Sequence, residues 1–116
     1  MSKDYRAITS NISAGMARLR ADIPDTMKGF SAMALSASKA GALDAKTKEL
    51  IALGISIAAH CDGCIGFHMK SLVRLGATRA EVEEALGMAI YMGGGPSVMY
   101  AAEAIAAYDQ FSEANA

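Results

Sequence analysis

The chain has no tryptophan and only four tyrosines and three phenylalanines, so its core must be built from Leu, Ile, Met and Ala. Side chains of that kind fill space best between packed helices. Proline occurs only at Pro24 and Pro96, and β-branched residues are scattered, which leaves almost no strand signal. Two cysteines are too few for a disulfide scaffold, and in a reducing compartment they point to catalysis or metal binding rather than a staple. Eleven basic residues stand against twelve acidic ones without a run of either sign, and the absence of a basic stripe excludes a nucleic-acid partner. No apolar run approaches the ~18 residues a membrane span requires. The opening residues, Met1 to Arg6, do not lead into an apolar stretch as a secretory signal would, and a cytoplasmic protein is expected.

What is present is apolar and short. The 116 residues, 53% hydrophobic and 20% charged, make one globular domain spanning 1–116. A chain of this size hides its apolar surface poorly, so self-association is expected. The pattern predicts about six helices. Ile8, Ile12, Met16 and Leu19 place one face of a first helix over Tyr5 to about Asp22. Pro24 stops it and Asp25 caps a second helix to about Lys39. Asp44 caps a third, Ala45 to His60, which is apolar after Glu49 and is expected to be largely buried. A fourth opens at Cys61 and ends at Leu75, with Gly76 at the left-handed C-cap position. Thr78 and Glu81 form a capping box for a fifth to about Met92, and Pro96 opens a sixth to about Phe111, after which the chain is expected to fray.

Gly93-Gly94-Gly95 lacks the spacing of a phosphate-binding loop and follows no strand, so it reads as a helix break. The eight methionines sit at core-like spacings and read as fillers between helices. Tyr91, Tyr100 and Tyr108 read as packing groups, and Asp62 as a solvated acid.

The chemistry concentrates around Cys61-Asp62-Gly63-Cys64. Cysteines three apart at a helix start can form a disulfide, and the spacing places Cys64 near free N–H groups and the positive end of the helix dipole, which favour thiolate, the attacking species. His68 follows Cys64 by one helical turn, where an imidazole can take the thiol proton. The competing reading is metal: Cys61, Cys64, His68 and His60 could supply a zinc site, although no second C-x-x-C accompanies them. Glu49 is either a solvated first-turn acid or, if the third and fourth helices pack as an antiparallel pair, the carboxylate that orients His68. Spacing alone leaves both open. His60 either lowers the neighbouring thiol pKa or simply ends its helix.

Glu49, eleven residues, then Cys61-x-x-Cys64-x-x-x-His68, followed by Leu75-Gly76-Ala77-Thr78 and the acidic Glu81–Glu84 segment, resembles the AhpD-like branch of the carboxymuconolactone decarboxylase family. The resemblance runs from about Leu43 to Phe111. It implies an all-α domain built around a central helical hairpin, assembled as a dimer, trimer or hexamer. It also implies a hydroperoxide reductase with peroxiredoxin-type activity, taking electrons from a dithiol donor such as a lipoylated or thioredoxin-like protein. On this resemblance Cys64 is the peroxidatic thiol, Cys61 the resolving one, and His68 with Glu49 the proton relay; neither a cofactor nor a metal is called for. The family's peroxidases carry a second histidine just before the second cysteine, where this chain has Gly63. Its lactone decarboxylases lack the cysteine pair. A lyase of that type, or a non-catalytic metal-binding or structural oligomer, are the alternatives.

Overall fold

The computed structural model describes residues 3–114, and among them every regular element is helical. The order is α1 (Tyr5–Asp22), α2 (Pro24–Ser38), α3 (Ala45–Ala58), α4 (Asp62–Arg74), α5 (Arg79–Gly93) and α6 (Gly95–Ala114). None of these helices is long and apolar enough to cross a membrane.

Local chemistry sets most of the boundaries. Oδ1 of Asp44 accepts the N–H of Thr47 at 2.7 Å and starts α3. Thr78 and Glu81 close the capping box of α5 in both directions. Helices α3 and α4 end in the same six-to-one turn. The N–H of Cys61 reaches the carbonyl of Ser56 and that of His60 reaches Ile57, as Ala77 and Gly76 reach Leu72 and Val73. The left-handed residue is Gly76 in one turn, at φ 80°, and His60 in the other, at φ 55°. Helix α3 ends at Ala58, short of the expected His60, and two further points differ from expectation. Asp25 lies inside the first turn of α2, because Pro24 occupies N1 and Ile23 caps without a side-chain bond. Helix α6 continues through Ala114 instead of ending near Phe111, while 115–116 lie outside the described residues.

Helices α3 and α4 form the central hairpin. Leu53 and Ile57 from α3 meet Ile65, Met69 and Leu72 from α4, and α5 and α6 close the core with Val82, Leu86, Ala104 and Phe111. Alanines at 101, 104 and 107 let α6 approach closely. Helix α1 lies across α4, and the chain before it is pinned. The Gln110 amide donates to the carbonyl of Lys3 and accepts the N–H of Tyr5, both at 2.8 Å.

Burial departs from the sequence pattern in the outer helices. Helix α2 buries no side chain at all, and Phe30, Met33 and Leu35 stand 60%, 61% and 72% exposed. Ile51 and Ile55 leave α3 exposed along one face. Among the described methionines only Met69 is fully buried, whereas Met33, Met88, Met92 and Met99 lie on the surface, so most of these are not core fillers. Tyr91 is exposed as well, while Tyr108 packs and donates to the carbonyl of Ala77 at 2.9 Å.

Candidate functional site

Cys61 and Cys64 are joined as a disulfide across the start of α4, with Cα atoms 5.2 Å apart. Cys61 is the N-cap residue, in extended conformation, and its Sγ accepts the N–H of Cys64 at 3.2 Å. The capping hydrogen bond thus falls on Cys61 and not, as the spacing suggested, on Cys64, because Cys61 occupies the N-cap and Cys64 is already inside the first turn. The two sulfurs occupy different surroundings: Cys61 faces the free N–H groups of the helix start, and Cys64 stands one turn before His68.

His68 and Glu49 are brought together. Nδ1 of His68 lies 2.6 Å from Oε2 of Glu49, linking α4 to α3. The carboxylate side chain is 16% exposed and the imidazole 36%, so the pair sits at the edge of the core. Glu49 is therefore not a solvated first-turn acid. A carboxylate on Nδ1 fixes the neutral imidazole with its proton on that nitrogen, leaving Nε2 to accept one. No hydrogen bond joins His68 to either sulfur among the described residues, and in the disulfide neither sulfur has a proton to give.

His60 is not drawn toward the other three. Its ring stacks on Tyr100 of α6, with centroids 4.5 Å apart and planes 5° from parallel. This stack holds a β-carbon-bearing residue at a left-handed position where glycine is usual. No three His, Cys, Asp or Glu side chains form a metal-binding group among the described residues.

Sequence reasoning missed two contributors. Lys3 donates to Asp62 at 2.9 Å and to Glu103 at 3.1 Å, and its Nζ lies 4.8 Å from the Tyr100 ring centre. Asp62 is thus paired, not merely solvated. Burial alone would lower the Lys3 ammonium, but hydrogen bonds to Asp62 and Glu103 outweigh it and raise its pKa. The second is Ile12. A Cβ at Gly63, just before Cys64, would run into Cδ1 of Ile12, and one at Gly66 would lie 2.6 Å from Cγ2 of Thr9. Glycines at 63 and 66 give α4 a bare face on which α1 lies. Ile12 was legible only as part of a helical stripe; nothing local told where that stripe docks.

A groove of about 850 Å³ lies elsewhere, between α3 and α5, lined by Leu50, Ile51, Ile55, Met88 and Met92 among others. It uses the face of α3 turned away from Glu49.

The sequence profile of the carboxymuconolactone decarboxylase family matches residues 24–107. A crystal structure of a family member from Legionella pneumophila is similar at 56% identity and TM-score 0.92, covering 93% of this chain and 96% of that one. A Thermotoga maritima member, put forward as a participant in the antioxidative response, is similar at 27% identity and TM-score 0.83, with 92% of each chain covered. An uncharacterized protein of Cupriavidus necator is 36% identical over 109 residues, which is 94% of this chain and 96% of that protein.

Proposed function

The chain belongs to the carboxymuconolactone decarboxylase family, and within it we propose a thiol-dependent hydroperoxide reductase. The observation that carries the reading is the redox-paired Cys61–Cys64 at the start of α4, with a carboxylate-held imidazole one turn beyond it.

The cycle begins from the dithiol. His68 takes the Cys64 proton at Nε2, and Glu49 stabilises the imidazolium so formed. The Cys64 thiolate attacks the terminal oxygen of R–O–O–H. An S–O bond forms, the O–O bond breaks, and the alkoxide leaves as alcohol with the proton from His68. Cys64 is now a sulfenic acid, two electrons more oxidised. Cys61, favoured as thiolate by the Cys64 N–H it caps, displaces hydroxide, which leaves as water, and the disulfide forms. An external dithiol returns the two electrons by exchange through a mixed disulfide. A lipoylated or thioredoxin-like protein has the required chemistry.

The purified protein given an organic hydroperoxide and dihydrolipoamide is expected to turn over, and Cys64→Ser to abolish turnover. Equal turnover in that variant would overturn the assignment.

We also propose that the working form is a homo-oligomer. The accessible surface, 7051 Å², exceeds the roughly 6,000 Å² of a compact monomer of this mass by about 1,000 Å². The excess is apolar along α2 and the α3–α5 groove, the kind of surface that subunit contacts cover.

A further inference from the structure

Two walls of unlike chemistry flank the cysteine turn. On the α3 side stand His68 and Glu49, a polar pair that handles protons. On the α1 side stands Ile12, whose Cδ1 fills the space a side chain at Gly63 would need. Gly63 is one of the two residues between the cysteines, so Ile12 rests against the loop that the disulfide closes. Ile12 is itself partly exposed, at 37%. Tyr5 and Thr9, at the preceding contact positions of the same α1 stripe, are buried against α4 and carry the packing of the helix. Of these three residues Ile12 alone is not buried, and it stands beside the cysteine turn.

We propose that Ile12 is the specificity-determining residue of this site, giving hydroperoxides with an apolar body an advantage over hydrogen peroxide. The inference rests on the hydroperoxide reductase reading. The hydroperoxyl end of R–O–O–H goes to the polar wall, where the leaving oxygen receives its proton. The organic group R then lies along Ile12, removing apolar surface of both from water. Hydrogen peroxide has no such group and gains nothing from the wall. The discrimination acts on kcat/KM, because it is realised as the substrate is positioned for attack.

The test compares kcat/KM for cumene hydroperoxide and hydrogen peroxide in the wild type, Ile12→Ala and Ile12→Val, with dihydrolipoamide fixed. Alanine keeps the helix and removes the wall; valine keeps most of it. The cumene-to-hydrogen-peroxide ratio is expected to fall about tenfold in Ile12→Ala, and to stay within about twofold of wild type in Ile12→Val. A ratio unchanged in Ile12→Ala, or an equal loss on both substrates, overturns the proposal. The wall is also read without any peroxide. In the reduced protein, the rate of alkylation by N-cyclohexylmaleimide relative to iodoacetamide is expected to fall in Ile12→Ala. Absence of peroxide turnover in the wild type, with this alkylation ratio still falling, would sink the reductase reading while leaving Ile12 as the apolar wall of the thiol site. An unchanged alkylation ratio would remove the wall itself.

Discussion

Glu49 and His68, nineteen positions apart and on different helices, meet at 2.6 Å between Oε2 and Nδ1. A contact this short between a carboxylate and an imidazole holds the ring in one orientation. If the pair moves protons for Cys64, the two residues act as a unit. His68→Asn is expected to lower kcat/KM for a hydroperoxide by about 10²- to 10⁴-fold, the usual range for a lost acid–base group. Glu49→Gln keeps an acceptor for Nδ1–H but loses the charge, and should cost less. The double variant should be little worse than His68→Asn alone, because Glu49 has nothing to orient once the imidazole is gone. Steady-state kinetics of the four proteins decide it; additive losses would mean the residues work separately.

What could be read from sequence was what is settled within a few residues. The Asp44 cap, the Thr78–Glu81 box and the left-handed Gly76 are local hydrogen-bond problems with local answers, and they placed α3, α4 and α5. Cys61, Cys64 and His68 share one short segment, and a helical hairpin was enough to suggest Glu49 as the fourth member. The rest depended on contacts between distant segments. That Gly63 faces Ile12, and that Lys3 pairs with Asp62, follows from where α1 crosses α4, which no spacing along the chain encodes. The methionines misled for a related reason: a flexible apolar side chain suits an inter-helix gap and an uncovered surface alike.

The α1–α4 crossing makes its two glycines unequal. Alanine at Gly66 would meet Cγ2 of Thr9 at 2.6 Å and the Tyr5 carbonyl at 3.6 Å. Thr9 cannot yield easily, since it is β-branched and its hydroxyl donates to the same Tyr5 carbonyl at 2.9 Å. Alanine at Gly63 meets only the tip of Ile12, which can swing to another rotamer. Gly66→Ala is therefore expected to destabilise by about 1–3 kcal/mol. Gly63→Ala should fall within about 1 kcal/mol of wild type, since the gain in helix propensity offsets the rotamer change. Urea unfolding with a shared m-value measures both, and the reverse order would mean that α1 does not lie on α4 as described.

Helix α2 gives a test of assembly. With Phe30 and Met33 both largely exposed, Phe30→Ser/Met33→Ser removes apolar surface without opening the core. In light scattering the wild type is expected at a multiple of 12.0 kDa and the double variant at a lower multiple. Because neither side chain belongs to the buried core, helical content should not change. A monomeric wild type, or a variant of undiminished mass, would show that this face is not a subunit contact.

Tyr5 contributes to the pH dependence of folding at the alkaline end. Its side chain is fully buried, and burial pushes the phenol from its ordinary 10.0 up to about 12. The neutral form is thus the one the fold accepts. Below pH 10 the phenol is neutral in both folded and unfolded chains, and its contribution is fully present. Between 10 and about 12 the unfolded chain gives up the proton while the folded one keeps it, and stability falls. Lys3 and Lys46, whose ammonium groups are also raised, lose stability in the same direction, so the wild-type curve alone does not isolate Tyr5. Tyr5→Phe does. The ring stays in place, the titrating group is gone, and the difference in melting temperature between the two proteins should be constant up to about pH 10 and then shift in favour of the variant. Parallel curves through pH 12 would show that the phenol ionises equally in both states and is not buried in the folded chain.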